Sequence, residues 1–312
     1  PGRVPFRAVR ELLRPPRLRP GARIGVAAVS GPADPERLAA GVRSLEALGY
    51  SVALADNVRE RDGFLAGSDD ARAAGYRKLL MDPSVDAIFF ARGGYGASRI
   101  LSRLDAAEIA AHPKIHLGGS DLTALFAYIA RAGDLVTFYG PMVAVEMASG
   151  GTLDWEPVLS GATPASHGFG PGDVLRGGAV QGPLVGGCLS LLASLAGTPE
   201  AIRAAGSVLF WEDVGEERYR LDRLLTQLER SGTLDDLLGM VIGSVVPGRG
   251  ESPDAVRDYL RGRFRGAPFP VAMGLPAGHL DAPRTLPLGL PARLSLTEDA
   301  GGSLSFWTPG VA

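Results

Sequence analysis

The stretch Lys114-Ile115-His116-Leu117-Gly118-Gly119-Ser120-Asp121-Leu122-Thr123-Ala124-Leu125-Phe126 holds the first residues with chemical potential. A short strand-like run meets two glycines, a serine, and then an apolar stretch with helical spacing. A strand–turn–helix junction of this kind lifts a hydroxyl clear of the backbone at the end of a sheet. It also aims the first helix amides at whatever that hydroxyl attacks. Ser120 is thus a candidate nucleophile, although the local pattern taken alone favours a plain helix cap by Ser120 or Asp121. A nucleophilic serine needs a base, and the base needs a group to orient it.

Two further segments offer those groups. In Val208-Leu209-Phe210-Trp211-Glu212-Asp213-Val214, four large apolar residues lead directly into two carboxylates. That places an acid at the end of a buried strand, where Glu212 could grip an imidazole N–H and support the imidazolium, with Asp213 an exposed or capping neighbour. A surface turn or a helix cap is the alternative. In Gly274-Leu275-Pro276-Ala277-Gly278-His279-Leu280-Asp281, a histidine lies in a loop shaped by Gly and Pro. Among the four histidines, His116 falls within a strand, His112 precedes Pro113 in a turn, and His167 lies in a polar stretch. His279 has the best setting for a base. A fourth segment, Arg92-Gly93-Gly94-Tyr95-Gly96, lacks the Gly-Lys-Ser/Thr ending of a P-loop and the spacing of a dinucleotide fingerprint. Its glycines suit a second use, letting backbone N–H groups approach a substrate closely as an oxyanion hole requires.

Alternating elements would position these groups. The pattern predicts strand 23–29, helix 35–48, strand 51–55, helix 69–81, strand 86–90, helix 97–104, strand 114–117, helix 122–131 and strand 135–139. Short strands alternating with helices imply a parallel sheet covered on both faces, with an active crevice beyond the carboxyl ends of the strands. Residues 151–178, rich in Gly, Ser, Pro and Thr, read as a linker between an N-terminal α/β domain (1–150) and a C-terminal one (179–312). The second domain reads as a smaller mixed α/β unit, with strands 179–185, 208–211, 239–246, 271–273, 293–296 and 304–307 and helices 189–196, 219–231 and 254–264.

Composition narrows the function classes. The 312 residues carry a formal net charge of −2 and a pI near 6.2, which gives no electrostatic case for nucleic acid or an anionic membrane. No apolar run approaches the length of about 18 residues that a membrane span needs. The single cysteine, Cys188, excludes an intrachain disulfide and points to a reducing compartment. The histidines and that cysteine show no metal-ligand spacing. The leading segment with Arg3, Arg7, Arg10, Arg14, Arg17 and Arg19 lacks the continuous apolar region of a signal peptide, so a soluble, cytoplasmic protein is expected.

Taken in order, the segments resemble the LD-carboxypeptidase family, serine peptidases that include the murein tetrapeptide carboxypeptidases. The likeness runs through Phe64-Leu65-Ala66-Gly67-Ser68-Asp69-Asp70 with Arg72, Ala91-Arg92-Gly93-Gly94-Tyr95-Gly96, and Gly118-Gly119-Ser120-Asp121-Leu122-Thr123-Ala124-Leu125. It continues through Gly140-Pro141-Met142, Gly186-Gly187, Gly197-Thr198-Pro199, Glu212-Asp213-Val214 with Tyr219 and Asp222-Arg223, and Gly278-His279 with Leu286-Pro287-Leu288-Gly289. The resemblance implies Ser120 as nucleophile, Glu212 as orienting acid and His279 as general base. It also implies a flavodoxin-like or Rossmann-like N-terminal domain, a smaller swivelling C-terminal domain, a homodimer, and no metal or organic cofactor. The substrate would be a small muropeptide, cleaved between an L-centre and a terminal D-alanine. The oxyanion would lie against the amides of Asp121 and of Gly93 or Gly94, with Arg92 and Tyr95 in substrate binding. The chain departs from the family in having Cys188 where Asn is usual, Tyr139 where His is usual, and Leu280 where Gly is usual. Rival readings are a microcin-immunity peptidase acting on peptidyl or aminoacyl nucleotides, a non-catalytic muropeptide-binding protein, and a dinucleotide-binding regulator.

Overall fold

A computed structural model describes residues 12–150 and 153–312. The arginines at 3, 7 and 10 of the leading segment lie outside the described residues.

The first half builds one sheet. Strand β1 (Arg23–Ala27) is followed by α1 (Pro35–Ala47), β2 (Ser51–Leu54), α2 (Asp69–Met81) and β3 (Ala87–Phe90). Then come α3 (Ala97–Ile100), α4 (Ala106–Ala111), β4 (Ile115–Gly118), α5 (Leu122–Ala132) and β5 (Thr137–Tyr139). Local signals set these elements: Asp34 caps α1 by accepting from the amides of Glu36 and Arg37, and Pro35 sits in the first turn, where its missing N–H costs nothing. The strands β3 and β4 are buried at every residue, as expected of parallel strands covered on both faces. All pairings among β1 to β5 are parallel, in the order β2-β1-β3-β4-β5. That order reverses direction between β1 and β3, so the crevice of this sheet opens where their carboxyl ends diverge.

The second half continues with α6 (Trp155–Leu159), β6 (His167–Phe169), β7 (Val174–Arg176), β8 (Gly178–Cys188) and α7 (Leu189–Leu195). Next are β9 (Val208–Glu216), α8 (Arg218–Arg230), β10 (Gly239–Pro247), α9 (Pro253–Phe264), β11 (Val271–Met273), β12 (Leu286–Leu288), β13 (Pro291–Thr297) and β14 (Gly301–Ser305). A second sheet runs β6-β14-β13-β8-β9-β10-β11-β7, parallel from β8 through β11 and antiparallel at both flanks.

Most predicted elements lie within two or three residues of those observed. Three differences have physical causes. The helix expected over 97–104 ends at Ile100 and tightens into a 3-10 turn at Leu101–Arg103. The stretch 151–178, expected as linker, contributes α6 and the edge strands β6 and β7, whose composition hides them because short edge strands tolerate Gly and Pro. The third is β12, which leaves the second half and pairs antiparallel with β5, adding an edge to the first sheet. Pro287 at its centre reads against a strand, yet an edge position leaves no ladder bond for the missing N–H to break. The two halves also share a core: Leu122, Phe126 and Tyr139 from the first pack in one cluster with Phe210, Val241 and Ala277 from the second.

Candidate active site

Ser120 stands at the carboxyl end of β4 with φ of 58°, the left-handed region that residues with a Cβ rarely enter. A capping serine takes an extended backbone, so this geometry belongs to a sharp elbow and not to a cap. Asp121 is the N-cap residue of α5 but makes no side-chain capping bond. Its buried carboxylate accepts instead from Ser30 Oγ at 2.6 Å and the Ala97 amide at 2.8 Å, tying the loops after β1 and β3 to the elbow. Burial raises the Asp121 carboxyl above its ordinary range, and the two hydrogen bonds oppose that rise.

The glycine loop after β3 closes on the serine. A Cβ at Gly93 would lie 2.8 Å from Ser120 Cβ and 3.3 Å from the Asp121 nitrogen, so only glycine admits this approach. The Gly93 carbonyl accepts from the Gly31 amide at 3.1 Å, which fixes the loop across the crevice between β1 and β3. Arg92 donates to the Pro32 carbonyl at 3.3 Å and is otherwise turned to solvent. The Tyr95 ring lies 5.8 Å from that of Phe64, and both rings are exposed.

Glu212 and His279 meet on the second sheet. Glu212 lies within β9 and is fully buried, while the loop between β11 and β12 carries His279, whose side chain is 28% exposed. Imidazole Nδ1 lies 2.7 Å from Glu212 Oε2, and the His279 amide donates to the same oxygen at 3.2 Å. A Cβ at Gly278, where φ is +106°, would fall 2.5 Å from that oxygen, so glycine is what lets the loop lie against the carboxylate. Burial pushes the imidazole pKa down, but the Glu212 hydrogen bond and charge, with Asp213 and Glu146 behind them, win and hold it above its ordinary value. This pairing fixes Nδ1 as the donor and leaves Nε2 free to act as base.

The two sides are joined by hydrogen bonds. The Ser120 amide donates to Tyr139 Oη at 2.8 Å, and Tyr139 Oη donates to Glu212 Oε1 at 2.6 Å. A second link runs from the Cys188 amide to Thr123 Oγ1 at 2.9 Å, and from that hydroxyl to the Ser120 carbonyl at 2.7 Å. Ser120, Tyr139, Glu212 and His279 therefore fall on one hydrogen-bond path, with Gly93 pressed against Ser120, while Arg92 and Tyr95 make their contacts to Pro32 and Phe64.

Several sequence expectations change in detail. Of the two places expected for Asp213, exposed or capping, it takes the capping one: it is buried, and its carboxylate accepts from the Ser190 amide at 2.8 Å at the start of α7. Burial raises its pKa to about 6. His116 is wholly buried between the Tyr76 hydroxyl and the Lys114 carbonyl, each at 2.9 Å, and burial lowers its pKa to about 4. It is a packed residue of β4. Tyr139 and Thr123 were not among the expected site residues. Tyr139 showed in the sequence only as a departure from the family pattern, and Thr123 as one residue of an apolar helix. Among the described residues, no three His, Cys, Asp or Glu side chains gather as a metal site would need.

The α/β fold thus carries a serine elbow at one strand end and a carboxylate–imidazole pair linked to it through Tyr139. The family models for the LD-carboxypeptidase N-terminal and C-terminal domains match residues 24–140 and 181–294. The chain is 41% identical to a provisionally named carboxypeptidase of Streptomyces coelicolor, over 92% of this chain and 94% of that one. It is 34% identical to a Bacillus subtilis protein named as a probable murein peptide carboxypeptidase, over 91% and 92%. Its fold matches the crystal structure of a muramoyltetrapeptide carboxypeptidase from Oxalobacter formigenes at a TM-score of 0.81 and 29% identity, covering 92% of this chain and 100% of that one. The fold is shared as well with the microcin C7 self-immunity protein MccF, at 0.85 and 23% identity over 96% and 100%. The chain belongs to the LD-carboxypeptidase family.

Proposed function

We propose that this protein is a serine carboxypeptidase that removes the terminal D-alanine from murein tetrapeptides, cleaving the amide that follows an L-centre such as diaminopimelate or lysine. The observation that supports this reading is the hydrogen-bond path from the Ser120 amide through Tyr139 and Glu212 to His279. His279 Nε2 takes the Ser120 proton as Oγ attacks the scissile carbonyl, and the imidazolium returns that proton to the departing D-alanine amine. Water then hydrolyses the acyl-enzyme by the same base. The Asp121 amide at the start of α5 and an amide of Gly93 or Gly94 hold the oxyanion, in keeping with the close approach of Gly93 to Ser120. Arg92 and the positive end of α5 receive the free carboxylate of the substrate, and Tyr95 lines the crevice.

The reading carries with it a cytoplasmic homodimer acting in peptidoglycan recycling, with an N-terminal nucleophile domain and a C-terminal acid–base domain. Incubation with L-Ala-D-Glu-diaminopimelate-D-Ala, followed by mass spectrometry, tests it. Wild type should release one D-alanine, and Ser120→Ala should lose roughly four to six orders of magnitude in turnover. Ser120→Ala turning over at near wild-type rates would sink the assignment. A protein that leaves the tetrapeptide intact but cleaves a processed microcin would belong to the immunity branch. Binding of the muropeptide without turnover would make it a binding protein.

A further inference from the structure

Tyr139 ends β5 with its side chain 2% exposed, and its hydroxyl lies between the two halves of the site. The Ser120 amide is a donor only, so it spends a lone pair of Tyr139 Oη, and the phenol proton is left for Glu212 Oε1. Burial, together with the Glu212 charge, raises the phenol pKa and keeps that proton in place. Glu212 Oε2 is already taken by the His279 imidazole and amide, and Tyr139 donates to the other oxygen of this fully buried carboxylate.

We propose that Tyr139 is a positioning residue: one hydroxyl clamps the left-handed backbone of Ser120 and the second oxygen of Glu212, coupling the nucleophile elbow to the acid–base pair. This rests on Ser120 and His279 acting as nucleophile and base. The physical case is direct. A residue at φ of 58° persists only when its surroundings hold it, and the Ser120 amide is one of the handles. A buried carboxylate that loses a donor holds its charge less well, so the Glu212–His279 pair would bind its shared proton more tightly. The other groups facing the pair are Asp213 on β9, Glu146 in the loop after β5, and Cys188 at the end of β8. A change at position 139 leaves all three in place.

Tyr139→Phe removes the hydroxyl and keeps the ring that packs edge-on against Phe210 at 5.4 Å. The expected result is a fall in kcat of about 10- to 100-fold with KM within about twofold, and an upward move of the acid limb of kcat/KM by about one pH unit. Inactivation by a serine-directed phosphonate reads the same pair without a peptide substrate and should show the same upward move. Fluorotyrosine at position 139 is a stronger donor in an intact fold, and should move the limb downward. Unchanged rate and limb in Tyr139→Phe, with melting like wild type, would make Tyr139 a packing residue and overturn the proposal, as would a fluorotyrosine protein with an unmoved limb. A wild type whose Ser120 takes no phosphonate would instead overturn the reading of the site on which the proposal rests.

Discussion

The Ser120 side and the Glu212–His279 side of the proposed site are built by opposite means. On the first sheet, backbone does the work: Ser120 is displayed by a left-handed elbow, Gly93 is pressed against it, and the side chain of Asp121 is spent on holding loops. On the second sheet, burial does the work: Glu212 is sealed within β9, and its charge holds His279 protonated to higher pH than a free imidazole. A hydroxyl needs only access and neighbouring amides, whereas an imidazole needs a fixed tautomer and a tuned affinity for its proton. The contrast follows from those needs, and it can be tested from either side.

The largest effect should come from removing one group on each side. Ser120→Ala and His279→Ala should each cost roughly four to six orders of magnitude in kcat, and the double variant should cost no more than either. Additive losses, measured as D-alanine release, would mean that the two sides do not act as one unit. Glu212→Gln keeps the shape of the acid and removes its charge, so kcat should fall by about 10³ to 10⁴. The sign of its pH effect is fixed by the causes acting on His279. With His279 as the proposed base, activity requires neutral imidazole, so in wild type it should rise with pH through a value above the ordinary 6.5. Without the Glu212 charge, burial is less opposed and the acid limb should move downward. An unmoved limb would remove Glu212 from the pair.

Smaller effects sharpen the contrast between backbone and burial. Gly278→Ala puts a methyl 2.5 Å from the Glu212 carboxylate at a positive φ. It should cost about 1–3 kcal/mol of stability and about 100-fold in kcat, read from melting curves and initial rates. Asp213→Ala uncaps α7 and should lower Tm by about 2–4 °C, with kcat within tenfold, since Asp213 lies beside the pair without touching His279. A collapse of kcat in that variant would put Asp213 into the chemistry.

How legible the site was in the sequence follows the same division. Strand β4, the glycines at 118 and 119 and the start of α5 are neighbours in the chain, so the strand–turn–helix junction could be read directly, although its pattern alone favours a helix cap over a nucleophile. The Glu212–His279 bond joins residues 67 positions apart, and each segment alone looked as much like a turn or a loop as like chemistry. Only the ordered resemblance to a family brought them together. Tyr139 was harder still, because a buried tyrosine at the end of a β-strand looks like core. Its role depends on where one oxygen lies between Ser120 and Glu212, which no periodicity encodes. Of the fold, β12 was the element least open to reading, since its pairing with β5 is set by shape at an edge and not by composition.

That pairing gives the molecule a temporal order. The loop bearing His279 leaves β11 in the second sheet and ends where Leu286 of β12 pairs with Tyr139 in the first. The His279 loop is therefore strapped at both ends, and its far anchor comes well after Ser120 in the chain. During synthesis Ser120 and strands β1 to β5 emerge before that anchor, and N-terminal regions generally begin to fold first. The strap can be fastened only after Leu286 has been made, so a chain stopping short of it carries the Ser120 elbow without the anchor that holds the His279 loop between the two sheets.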